Sequence, residues 1–77
     1  MPHVIVKMQS GRSEEQKAKL AEEITKAVMS GAKCSEAAVS VSIEDIEPAD
    51  WAEKVYKPDI TGNATRLYEK PGYDPAK

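Results

Sequence analysis

Hydrophobic and polar positions alternate in two stretches of this chain and wind helically in the stretch between them. Over 3–9 the apolar residues Val4, Val6 and Met8 fall on one side, with His3, Ile5 and Lys7 on the other. Period-two spacing rich in β-branched residues predicts a strand. Ile5 on the second side implies that this face is partly covered too, and Gly11 breaks the pattern. Ser13 followed three residues later by Gln16 has the spacing of a capping box. Beyond it Leu20, Ala21, Ile24, Ala27, Val28 and Gly31 gather within an arc of about 120° at about 100° per residue. This predicts a helix over 14–31 with Gly31 near its end. Glu15 with Lys19, and Glu22 with Lys26, dress the opposite side as a solvated face. Alternation returns over 38–46, with Val39, Val41 and Ile43 facing one way and Ser40, Ser42 and Glu44 the other.

The last third is less regular. Pro48 suits the first turn of a short helix over 48–56, which Lys57-Pro58 should end. Gly62-Asn63 marks a turn, Thr65 to Glu69 reads as a short strand, and Lys70-Pro71-Gly72-Tyr73 turns again within the C-terminal segment 64–77. All four aromatic residues, Trp51, Tyr56, Tyr68 and Tyr73, lie in this part of the chain.

Strand, helix and strand within about 45 residues make a βαβ unit of the α+β class, whose strands should run parallel with a right-handed crossover. The 77 residues allow one small domain, which buries only about 60% of its unfolded surface. Two strands and a helix bury too little to stand alone, and parallel strands normally want cover on both faces. A second copy completing a four-stranded sheet meets both needs, so self-association is expected before any chemistry is considered.

Eleven basic and thirteen acidic side chains leave a formal charge of −2. That balance argues against a nucleic-acid tract or a membrane-seeking basic face. No apolar run reaches the roughly 18 residues of a membrane span, and the N-terminus has no signal-peptide core, so the expectation is a cytoplasmic protein. The one cysteine, Cys34, cannot form an internal disulfide and reads as a loop or core-edge residue. One His and one Cys build no metal site, and no phosphate loop, dinucleotide fingerprint or Ser-His-Asp spacing is present. His3 reads as a strand residue beside the terminus.

What remains is the terminal amine. Once Met1 is removed, Pro2 carries the α-amino group, with a reference pKa of about 7.7–8.0 against about 10.4 for lysine. It would be held at the start of a strand. Arg12, one of two arginines with Arg66, sits at the strand-to-helix turn, where a guanidinium can take a carboxylate bidentately.

These residues resemble the 4-oxalocrotonate tautomerase family. The resemblance lies in Pro2 to Arg12-Ser13, the helix start Ser13-Glu14-Glu15-Gln16-Lys17, and Ala38-Val39-Ser40-Val41-Ser42-Ile43-Glu44 followed by Trp51. The length, Pro48-Ala49-Asp50-Trp51 and Lys70-Pro71-Gly72-Tyr73 look most like its longer bacterial branch of dimeric tautomerases acting on phenylpyruvate-type enols. The resemblance implies a cofactor-independent isomerase in which neutral Pro2 moves a proton on a 2-hydroxydienoate or enolpyruvate carboxylate. Such a base works best with its pKa near the working pH, and desolvation beside Arg12 would push the amine down. Arg12 would anchor the substrate carboxylate and Trp51 would form an aromatic wall. The implied partners are the enol or keto carboxylate and a second copy of the chain, in a homodimer or alternatively a hexamer.

One departure stands out. The family's second-strand arginine falls at Ser40, which has no charge to offer. Either polarisation is weaker, or Arg66, Lys7, His3 or Ser40 itself takes part, and a monocarboxylate would then be preferred. Two other functions fit the same scaffold: a hydratase or hydrolytic dehalogenase of unsaturated acids with Pro2 protonated, and a non-catalytic oligomer that binds a ligand or protein.

Overall fold

A computed structural model describes residues 1–74. The chain divides into two compact units, 1–45 and 46–77. The first holds β1 (His3–Gln9), α1 (Glu14–Ala32) and most of β2 (Ser40–Ile46). β1 and β2 pair as a two-stranded parallel sheet, giving a βαβ fold.

Local chemistry sets where α1 begins. Ser13 accepts a hydrogen bond from the Gln16 backbone at 3.1 Å, and Gln16 Oε1 accepts from the Ser13 N–H at 2.9 Å. Two otherwise orphaned donors of the first turn are thereby satisfied. Glu14 and Glu15 add negative charge to that turn, where the helix dipole favours it. The half-buried stripe is Lys17, Leu20, Ala21, Ile24, Thr25, Val28 and Met29, whereas Ala27 and Gly31 are exposed. The helix does not stop at Gly31. It continues to Ala32, and Lys33 takes the left-handed cap (φ 53°, ψ 59°), its N–H bonding to Met29 O. The Cys34 N–H reaches the same carbonyl at 3.3 Å. Two bonds to a terminal carbonyl offset the cost, about 1–2 kcal/mol, of a left-handed non-glycine residue.

At the strand-to-helix turn Gly11 has φ 125°, where an L side chain is strained. Before β2, residues 38 and 39 are not strand. Glu36–Ala38 form a 3-10 turn, in which the Ala38 N–H donates to Ser35 O and the Val39 N–H to Glu36 O at 3.1 Å each. Those donors are therefore not used in a ladder. Lys17 ties α1 to the end of β2 through Asp45 at 2.8 Å and to Glu14 at 2.9 Å. On the helix surface Lys26 pairs with Glu22 at 3.4 Å, while Lys19 meets Glu23 at 3.2 Å.

In the second unit, Pro48–Asp50 form a 3-10 turn leading through Trp51 into a wide π-type helical segment, Ala52–Ile60. The expected stop at Lys57-Pro58 does not occur. A wider i→i+5 turn takes a proline that would clash in an α-helix, and the Thr61 N–H bonds to both Tyr56 O and Lys57 O. Thr61–Arg66 is a 3-10 segment kinked at Asn63. Gly62 permits it, since a Cβ there would lie 2.9 Å from Lys57 O. The strand expected at Thr65–Glu69 is not formed. Residues to Arg66 wind helically, and no strand follows β2 among the described residues. Residues 75–77 of the expected segment 64–77 lie outside the described residues.

Val55, 4% exposed, is the one buried side chain among the described residues. No residue of β1, α1 or β2 is fully buried, and Ile5 is 56% exposed.

Candidate active site

Parallel pairing brings the beginnings of β1 and β2 together. The Ser40 N–H donates to the carbonyl of Pro2 at 3.2 Å, so the half-buried proline is held by the sheet one residue before β1 starts. The side chain of Ser40 takes the next residue: its Oγ lies 2.7 Å from His3 Nδ1. One serine thus holds the first two residues after Met1, one by main chain and one by side chain. Both His3 and Ser40 are exposed. Sequence reading named the two residues separately and missed the pair. Each is the first residue of its strand and lies on the less apolar side of its alternation, but the sequence pattern began the second strand at 38, so the register that joins them was not legible.

Arg12 is somewhere else. Its Nη1 donates to Gln9 O at 3.1 Å, which fixes the exposed guanidinium at the far end of β1. Seven steps from Pro2 to Gln9 at about 3.3 Å each make roughly 23 Å. Within one chain, Pro2 and Arg12 are therefore not neighbours. The reason is simple: a strand separates the residues at its two ends. A guanidinium has five N–H donors, so one bond to a carbonyl leaves others for a carboxylate.

Trp51 belongs to the second unit, at the join between the 3-10 turn and the wide helical segment. Its Nε1–H donates to Tyr73 Oη at 3.0 Å, and Tyr56 Oη–H donates to Tyr73 O at 3.3 Å. The Tyr56 and Tyr73 rings stand 5.5 Å apart, tilted by 56°. Tyr73, read from sequence only as part of a turn, is the residue that fixes the indole. Desolvation first, then the charge of Asp74 and the Tyr73 hydroxyl, push the Tyr56 phenol above its ordinary 10.0. It stays a neutral donor at physiological pH. Tyr68, fully exposed, takes no part in this cluster.

Lys17 is the other group that moves. Its hydrogen bonds to Asp45 and then Glu14 raise it above 10.5, which keeps it a structural cation. Among the described residues, no three His, Cys, Asp or Glu side chains gather as a metal site. A recess of about 270 Å³ is lined by Glu22, Thr25, Lys26, Met29 and Glu36. It contains none of the residues expected to carry chemistry.

Residues 2–55 match the family model described as tautomerase enzyme. A probable tautomerase of Xylella fastidiosa is 42% identical over 73 residues, covering 95% of this chain and 89% of that protein. Tautomerase PptA of Cronobacter sakazakii is 32% identical over 75 residues, covering 96% and 99%. The solved structure of a 4-oxalocrotonate tautomerase isozyme from Methylibium petroleiphilum aligns with a TM-score of 0.63 at 32% identity, over 65% of this chain and 81% of that one.

Proposed function

The chain belongs to the tautomerase family and is an isomerase of that kind, and we propose that it interconverts enol and keto forms of small carboxylates with Pro2 as the general base. The substrate class is a 2-hydroxydienoate or an enolpyruvate-type acid, and the location is cytoplasmic. The observation that carries the reading is that the family match begins at Pro2, the residue whose carbonyl is fastened to Ser40.

The reaction needs the proline nitrogen as an amine. With Met1 attached it is an amide and has no basic lone pair, so removal of Met1 is the activating step. The neutral secondary amine then takes the proton from the enol hydroxyl, leaving an enolate and a prolinium. The prolinium returns that proton to carbon, giving the keto isomer. Atoms and charge balance within one cycle, and no redox partner is required. A reference pKa of about 7.7–8.0 leaves an unprotonated fraction near neutrality.

Arg12, Trp51 and Ser40 are assigned to substrate binding. Since the ends of β1 stand roughly 23 Å apart, a site with both Pro2 and Arg12 takes Pro2 from one chain and Arg12 from another. The absence of any buried side chain in β1, α1 and β2, with Ile5 open on the sheet, supports a homodimer whose sheets adjoin. The same contact would give parallel strands their second cover.

The test is the enol-to-keto rate on phenylenolpyruvate and 2-hydroxymuconate, using protein shown by mass spectrometry to lack Met1. Replacing Pro2→Ala, which substitutes a primary for a secondary amine, should lower kcat about 10²-fold or more, in line with the worth of a positioned base. Methionine-retaining protein should be comparably slow. Unchanged turnover in either material rules Pro2 out as the base.

A further inference from the structure

The base in the proposed site has a neighbour whose orientation is already fixed. His3 follows Pro2 directly, and Ser40, which grips the Pro2 carbonyl through its N–H at 3.2 Å, grips the imidazole at Nδ1 through its hydroxyl at 2.7 Å. Within one chain the pair is exposed, so the ring fills no core of its own chain. Resting on the Pro2 reading, we propose that His3 is a substrate-binding residue of that site, with its Nε2–H donating to the substrate carboxylate and Ser40 as the positioning residue.

The tautomer follows from the two partners. A neutral imidazole carries one N–H and one acceptor nitrogen. When Ser40 Oγ–H donates to Nδ1, the hydrogen of the ring lies on Nε2, directed away from the serine. A carboxylate offers only acceptor oxygens, so it selects this arrangement and closes a chain Ser40 Oγ–H to His3 Nδ1, His3 Nε2–H to carboxylate. Hydrogen bonds to a charged acceptor are roughly twice as strong as neutral ones. No full guanidinium is then needed at position 40.

Of the other candidates on these two strands, neither matches it within one chain. Lys7 lies four residues further along β1, about 13 Å from His3. Ser40 Oγ already holds the ring, so in this assignment the substrate-binding role given to Ser40 above is exercised through His3 and not by direct contact. A single imidazole also fits one carboxylate better than two, which points to a monocarboxylate as the better substrate.

The experiment compares kcat/KM for an enolpyruvate-type acid with that for its methyl ester, in Met1-free protein. His3→Phe keeps a flat ring without a donor. It should lower the acid-to-ester ratio about tenfold, in keeping with the loss of a hydrogen bond to a charged group. His3→Gln, whose amide places an N–H near the position of Nε2, should restore most of that ratio. Ser40→Ala should lower it less than His3→Phe and shift the imidazole ¹⁵N resonances toward a mixture of tautomers. Calorimetric binding of 3-phenylpropanoate, which has the carboxylate but no enol, should weaken about tenfold in His3→Phe. This binding involves no proton transfer, so it reports on His3 independently of whether Pro2 is the base. An equal loss on acid and ester, or unaltered 3-phenylpropanoate binding in a His3→Phe protein of native circular dichroism, overturns the assignment.

Discussion

In the βαβ unit order is built from directed bonds at the ends of elements: the reciprocal Ser13–Gln16 cap, the Lys33 terminus, and Lys17 reaching Asp45. Not one of its side chains is fully buried. The second unit has the opposite economy, with irregular helical turns, an aromatic trio around Tyr73 and the buried Val55. The contrast shows which unit is unfinished. A parallel sheet without buried side chains has its local geometry specified but its faces still open. In the second unit Trp51 and Tyr56 both hydrogen-bond to Tyr73, and Val55 is buried. Pro2, Arg12 and Ser40 of the proposed chemistry, which needs a second chain, lie in the first unit.

Stability measurements can break that contrast. The largest effect should come from Val55→Ala, which removes packed methyl groups from the second unit and should cost about 2 kcal/mol, read as a lower urea midpoint at unchanged slope. Ser13→Ala should come next, at about 1 kcal/mol for the lost cap, with Ser13→Gly recovering most of it. If Ser13→Ala proves more damaging than Val55→Ala, the division between directed bonds and packing is wrong. The smallest effect concerns Lys17 and pH. Its folded-state pKa is raised above 10.5 by Asp45 and Glu14, so its stabilising contribution is complete below the unfolded value. It is lost as pH rises through the higher folded value. The difference in urea midpoint between the native chain and Lys17→Met should therefore be constant across roughly pH 7 to 9 and shrink only in stronger alkali.

The βαβ class was legible because its signals are local. Val4, Val6 and Met8 mark a strand by period, and Ser13 with Gln16 marks a helix start by spacing. α1 ends at Ala32, one residue past the expected end near Gly31, with two hydrogen bonds to Met29 O falling to Lys33 and Cys34. The second unit misled because its signals name residue types and not partners. Pro58 stops an α-helix but not a wider turn, and Thr65 to Glu69 had the composition of a strand with no partner to pair with. As for the site, alternation gave the position of Pro2 on its strand. It could not show that Ser40 would seize His3, because that depends on the register between two strands. The separation of Pro2 from Arg12 was legible in principle, since a seven-residue strand has a known length.

That strand length has a biochemical corollary. Under the proposed chemistry, β1 acts as a spacer that keeps each chain from completing its own site, so turnover becomes a readout of association. Specific activity should then fall on dilution below the dissociation constant of the pair. A Pro2→Ala chain mixed with an Arg12→Ala chain should regain part of the activity that neither has alone, because each supplies the half the other lacks.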